Sequence, residues 1–221
     1  MQKLKLLKVR FGDEIRFHEI PAFRGGVAAK ASHSLLFHNH IDDHTLRYAY
    51  PLIQYKRIRN HPSIICVGEG VDEIHRFFEN SDWSFEISGR TLDMKIEELD
   101  MKQFTMQVWD KQFTYRVNNW LALSQKNYTE YRKLEGMVEQ AAFLEKKLIG
   151  NILSMAKGIG WDIDKQIECK ILDFKPVHLR FKGQKLMAFN ATFKTNVFLP
   201  NYLGLGGKTG FGFGTVTEVK K

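Results

Sequence analysis

The sequence predicts an α+β protein made of two tandem halves, and three observations predict it. Extended and helical segments alternate in the order β-α-β-β-α-β through the first half. Extended segments then recur around one long amphipathic helix in the second half. Finally, a glycine-rich run over 204–214 precedes a closing strand. The β-α-β-β-α-β order is the split βαβ arrangement of a ferredoxin-like (RRM-like) domain. The expected organisation is therefore one such domain over residues 1–100 and a second over 101–221, the second closing with the glycine-rich loop. No Ser-rich or Pro-rich linker marks the boundary, which rests on the recurrence of pattern.

Each element has its own signal. Lys3 to Phe11 alternates as a half-buried strand does, and Gly12-Asp13 turns it into a short extended run, Glu14 to Glu19. Pro21 suits a helix first turn, so Ala22 to Ser32 is predicted helical despite Gly25-Gly26. Tyr48 to Ile58 reads as a strand whose Pro51 places it at an edge or a bulge, and Ser63 to Val67 as the next strand. A helix over Asp72 to Glu79 and a strand over Trp83 to Ser88 complete the first half. In the second half, Phe104 to Leu123 holds extended segments turned at Asp110-Lys111. Asn127 and Glu130 resemble a capping box opening a helix over 128–157, whose stripe runs from Leu134, Met137 and Val138 to Ile152 and Met155. Strands follow at 166–172 and 177–181, then a hairpin turn at Lys182-Gly183-Gln184-Lys185, a strand over 186–198 and a last one over 215–219.

Composition narrows the function classes. A hydrophobic content of 43% suits a globular core rather than a disordered chain. Apolar stretches such as Ile64 to Val67 fall far short of the roughly 20 residues of a membrane span. Met1 to Lys8 interleaves lysines with apolar residues and lacks the apolar core of a signal peptide. Cys66 and Cys169, both in predicted strands, read as reduced thiols, so a cytoplasmic location with no membrane partner is expected. Lys and Arg total 33 against 25 acids, a net charge of +8 that attracts polyanions through counterion release without saying which polyanion.

The stretch Leu36 to His44, LFHNHIDDH, carries three of the eight histidines. Histidine, with an ordinary pKa of about 6.5, both gives and takes protons near neutrality. His38 and His40 stand two apart, so in extended chain they share a face and can address one phosphate. His33 and His44 flank them, and Asp42 and Asp43 lie close to His40. Three readings follow from the residues: a metal-free acid–base pair, a metal site built from His38, His40, Asp42 and His44, or a solvated loop.

Gly204 to Gly214 holds six of the seventeen glycines. Glycines let a ligand approach the backbone and leave N–H groups for anions, Lys208 adds a cation, and Phe211 and Phe213 offer stacking faces. Gly207-Lys208-Thr209 fails as a phosphate-binding P-loop, because Tyr202 stands where the first glycine belongs and no helix follows. Gly68-Glu69-Gly70 fails as a dinucleotide fingerprint, because Glu73 stands where a glycine belongs. The run instead fits G-x-G-x5-G-x-G through Gly204, Gly206, Gly212 and Gly214, just before the last strand.

That spacing resembles the glycine-rich signature of the RAMP superfamily of CRISPR-associated RNA-binding proteins. With two ferredoxin-like halves and a basic surface, the whole chain is similar to the CRISPR repeat-processing endoribonucleases of that superfamily. The resemblance implies metal-independent cleavage of CRISPR precursor RNA within repeats, with no cofactor. It also implies a catalytic histidine in the loop after the first helix; His40, His38 and the nearby Lys30 match that place. In such chemistry the RNA 2′-hydroxyl attacks, one histidine accepts its proton, another protonates the leaving 5′-oxygen, and a lysine steadies the phosphorane charge. The products are a 2′,3′-cyclic phosphate and a 5′-hydroxyl. Arg24, Arg47, Arg180, Lys182, Lys185 and Lys208, with Gly204, Gly206, Gly212 and Gly214, are the expected RNA-binding residues, alongside Lys56, Arg57, Arg59 and His178. The expected partners are precursor and mature CRISPR RNA and an effector complex, the chain acting as a monomer or homodimer. A non-catalytic RAMP-type subunit that binds guide RNA, and a metal-dependent nuclease, are the alternatives.

Overall fold

Alternation along Gln2–Phe11 builds the first strand, β1, and buries both of its faces: Leu7, Val9 and Phe11 on one, Leu4 and Leu6 on the other. The computed structural model describes residues 1–31, 50–78 and 83–220, without the side chains of 75–77. After β1 come a 3-10 turn (Phe17–Glu19), α1 (Ile20–Lys30), β2 (Ile53–Ile58), β3 (His61–Val67) and α2 (Gly70–Phe78). A small hairpin of β4 (Ser84–Ile87) and β5 (Arg90–Asp93) follows, then β6 (Ile96–Met106). The main sheet has the order β2-β3-β1-β6, the ferredoxin-like arrangement with β6 as its fourth strand.

The sequence pattern placed that fourth strand at Trp83 to Ser88. The structure instead folds Ser84–Ile87 back on Arg90–Asp93 through Ser88 and Gly89, both at positive φ (52° and 76°), as a tight hairpin turn requires. The charges of β6 fall on both of its faces and hide the strand periodicity. The expected extended run at Glu14 to Glu19 ends in the 3-10 turn, where the buried Glu19 carboxylate accepts the Arg16 N–H at 2.7 Å and pairs with Arg90 at 2.9 Å. One of the two glycines of α1, Gly26, has a packing reason. A Cβ on Gly26 would lie 2.7 Å from the Phe85 ring, so the small hairpin settles against the helix only where the side chain is a hydrogen. Phe23, Val27, Tyr55, Ile64 and Ile74 share the core beneath.

The second unit has β7 (Val108–Trp120), α3 (Gln125–Tyr131), α4 (Met137–Gly158), β8 (Cys169–Phe181), β9 (Gln184–Val197) and β10 (Thr215–Glu218). Its sheet order, β10-β7-β9-β8, is again ferredoxin-like. No helix separates β9 from β10; the glycine-rich run and a 3-10 turn at Thr209–Phe211 stand in its place. The single helix predicted over 128–157 is two. Ser124 caps α3 by accepting the Asn127 N–H, and the chain breaks before Gly136, the extended N-cap of α4. Gln140 holds the break, donating to Leu134 O at 3.0 Å and accepting from Tyr131 Oη–H at 3.1 Å. The buried stripe starts only at Leu144, which leaves Met137 and Val138 exposed. The chain divides into residues 3–105 with 210–212, and residues 1–2, 106–209 and 213–221. Among the described residues no helix is long and apolar enough to cross a membrane.

On β2, Lys56 is fully buried opposite Ser63 of β3, with Gln54 buried on the same face. Burial pushes its amine from an ordinary 10.5 down to about 7. Between those values the unfolded chain binds a proton that the folded chain releases, so stability attributable to this position rises with pH. Lys56→Met is expected to be more stable than the parent at pH 7, the advantage shrinking as pH approaches 10. Denaturant midpoints across that range measure it; a pH-independent difference contradicts the burial account.

Candidate nucleic-acid interface

The hairpin of β8 and β9 turns at Lys182 and Gly183, both at positive φ (47° and 79°), the geometry of a two-residue turn that matches strand twist. Register pairs Arg180 with Lys185 and His178 with Met187, so His178, Arg180 and Lys185 share one face of the ribbon. All three are exposed. Like charges directly opposite each other in an antiparallel pair are destabilising, and a bound anion relieves that repulsion.

The glycine-rich run closes on this hairpin. Phe181 stands edge-on to the buried Phe213 at 5.5 Å between ring centres. The Lys208 ammonium lies 4.9 Å above the Phe181 ring and that of Lys182 6.0 Å from it. Lys208, distant in sequence, therefore joins Lys182 and Lys185 at the tip of the ribbon. Beside them opens a cleft of about 1140 Å³ lined by the β7–α3 connection, α3, β9 and the glycine run. That exceeds the about 300–1,000 Å³ of ordinary small-molecule pockets. Its walls carry amides that the sequence pattern does not assign to binding: Asn127, Asn151 and Gln184, with the exposed ring of Tyr128. Asn151 Oδ1 accepts the Trp120 indole N–H at 2.8 Å and Asn127 Oδ1 accepts from Lys147 at 3.0 Å, so both keep NH2 donors for a guest. They come from different elements, and no local spacing announces them.

The glycines act differently from an open anion nest. The N–H groups of Leu205, Gly207 and Gly214 donate to Gly214 O, Leu121 O and Asn119 O at 2.8, 3.0 and 3.1 Å. Gly204, Gly212 and Gly214 are buried, and Gly206 has φ +88° against the Trp120 ring. At Gly214, φ is +63° and a Cβ would sit 1.8 Å from Leu205 O, which no side chain allows. Of the two expected stacking faces, Phe213 is buried and Phe211 lies under the Arg24 guanidinium at 4.4 Å. Burial holds the Arg24 pKa below its ordinary value, partly countered by Tyr55. Arg24 thus lies packed within its own unit.

Other expected phosphate contacts are likewise occupied. Arg57 donates to Ile15 O at 2.6 Å and to Asn60, and Lys56 is buried. Lys30 ends α1 with its ammonium 5.2 Å from the Phe85 ring. His38, His40 and Arg47, together with His33, Asp42, Asp43 and His44, lie outside the described residues. No group of three or more metal-binding side chains occurs among the described residues.

Two ferredoxin-like units, the second with a glycine-rich loop where its second helix would stand, make the architecture expected from the resemblance to RAMP proteins. Residues 2–105 match the family model of the Cas6b N-terminal domain and residues 107–219 that of the Cas6b C-terminal domain. The chain belongs to the Cas6b family. A crystal structure of Cas6b superposes with a TM-score of 0.91 at 30% identity, over 99% of this chain and 100% of that one. A crystal structure of the CRISPR RNA processing endoribonuclease Cas6b gives a TM-score of 0.76 at 29% identity over 99% and 100%. An uncharacterized protein of Methanocaldococcus jannaschii is 37% identical over 105 residues, 48% of this chain and 71% of that protein.

Gly214→Ala combines positive-φ strain with an overlap that moves the backbone and is expected to cost about 3–5 kcal/mol. Gly183→Ala has positive φ but open space and should cost about 1 kcal/mol. Urea unfolding of both variants measures this; equal losses would show that the loop has room at Gly214.

Proposed function

We propose that this chain is an endoribonuclease that cuts CRISPR precursor RNA within its repeats, in the cytoplasm and without a metal or cofactor. The observation that carries the reading is the match of both halves to Cas6b, with a CRISPR RNA processing Cas6b enzyme 29% identical along the whole chain. In the proposed reaction, one of His40 and His38 takes the proton of the 2′-hydroxyl next to the scissile phosphate. That oxygen attacks phosphorus, the P–O5′ bond breaks, and the other histidine protonates the departing 5′-oxygen. Lys30 swings from the Phe85 ring to steady the phosphorane charge. A 2′,3′-cyclic phosphate and a 5′-hydroxyl remain. The exposed ribbon of Arg180, Lys182 and Lys185, with Lys208 beside it, grips phosphates, and the amides of the cleft meet unpaired bases. Gly204, Gly206, Gly212 and Gly214 serve binding by shaping the loop, Arg24 by holding Phe211, and Arg47 as a further phosphate contact. Product guide RNA then passes to an effector complex.

Removing a general acid or base typically costs 10²–10⁴-fold in rate. His40→Ala is expected to lose about that much cleavage of a labelled repeat RNA in EDTA while still binding it. A substrate with 2′-deoxy at the scissile nucleotide should bind and remain whole. Cleavage of the deoxy substrate, or full activity in the His38/His40 double alanine variant, would defeat the mechanism, and chelator-sensitive cleavage would assign it to a metal.

Lys182→Ala, Lys185→Ala and Lys208→Ala should each weaken RNA binding and reduce the slope of log affinity against log salt by roughly 0.7. Titrations at several salt concentrations measure the slope; unchanged slopes in all three would place the RNA elsewhere.

A further inference from the structure

β6 ends its sheet, with β1 on one side and no described strand on the other. Its 11 residues, IEELDMKQFTM, leave the outer half of the strand exposed, and Leu99 and Met101 stand 56% and 60% open to solvent. Edge strands usually carry charges that repel a second chain. Here the charges are arranged so that one antiparallel register satisfies them.

We propose that β6 pairs with β6 of a second copy of this chain, antiparallel about a two-fold axis at Asp100. Directly opposite residues in such a ribbon share a face. The axis sets Leu99 against the partner's Met101 and Ile96 against the partner's Phe104, each twice. It also sets Glu98 against the partner's Lys102 twice, and Glu97 against the partner's Gln103. The one like-charge pair is Asp100 with its symmetry mate. That charge is already countered within each chain by Lys102 at 2.8 Å and Lys8 at 3.8 Å. Shifting the register by one or two residues breaks the correspondence: Leu99 then meets a polar or charged residue or another Leu99, and Glu98 loses Lys102. An isologous contact of this kind closes on itself as a dimer, because each β6 edge is used by the other. A second copy is the occupant because the sequence of the strand is its own complement.

Sedimentation of the full chain over a range of concentrations tests this. The parent should show a monomer–dimer equilibrium, and Leu99→Asp and Met101→Lys should each weaken it at least about tenfold, since every contact occurs twice. Both positions are exposed, so each variant should fold, which circular dichroism checks. Mixing the two variants should restore dimers. The aspartate introduced in one chain then faces the lysine introduced in the other, while the unaltered Met101 of the first chain keeps the unaltered Leu99 of the second. A parent that stays monomeric throughout, a dimer indifferent to both substitutions, or variants that fail to rescue each other would overturn the proposal. A dimer that appears only with RNA and survives both substitutions would also overturn it, assigning the contact to another surface.

Discussion

Backbone meets backbone at Gly214. Leu205 donates its N–H to Gly214 O, and Gly214 donates its own to Asn119 O, so the loop is pinned to itself and to the end of β7 within one residue. Any Cβ there would occupy the space of the Leu205 carbonyl. The bulged end of β7 makes the attachment possible. Asn119 takes φ 51°, its N–H donates to Asn190 Oδ1 at 2.8 Å, and its carbonyl is thereby turned toward the loop. With the loop seated, Phe213 lies against Phe181 and Lys208 against the ribbon tip. The placement of Lys208 beside the ribbon lysines thus depends on one contact that only glycine permits.

The surplus charge of +8 is unevenly used. In the N-terminal unit, Lys8 and Arg10 of β1 are bound to Glu98 and Glu97 of β6 at 2.6 and 2.8 Å, and Arg90 to Glu19. Hydrogen bonds from both cations hold the Glu98 carboxyl below its ordinary pKa. These cations stitch strands together. On the β8–β9 ribbon, Arg180 and Lys185 face each other across the register and form no ion pair among the described residues. Two cations held opposite each other in this way add their fields at the ribbon surface. The same distinction separates the two edges: the acids of β6 pair with cations of their own sheet, whereas Arg180 and Lys185 of the ribbon form no ion pair among the described residues.

The absence of a second helix in the C-terminal unit has a related consequence. In a ferredoxin-like domain the element between the third and fourth strands normally covers one sheet face with a hydrophobic stripe. Here a short loop stands in that place, with Leu203, Leu205 and Phe213 all buried and with carbonyl-bound N–H groups in place of helical hydrogen bonds. Gly207 and Lys208 of that loop line the cleft beside α3.

Several features were legible in the sequence because they are local. The ribbon turn at Lys182-Gly183 and the glycines Gly206, Gly212 and Gly214 depend on backbone conformations that few residues adopt, so the residue types betray them. Their reason was not legible: the glycines were read as an opening for phosphate, and the fold uses them for close approach of its own chain. Tertiary structure alone decided the rest. Lys56 alternates like a surface residue, yet burial on the second sheet face removes it from solvent and lowers its pKa. Met137 and Val138 fit the helical stripe, yet Gly136 begins α4 beyond the reach of the sheet. The fourth strand of the first sheet sits where charge on both faces erases the period of two, and Asn127, Asn151 and Gln184 converge from separate elements. Spacing along a chain records local geometry; which face is covered, and which distant side chains meet, is set by the partner surface that packs against it.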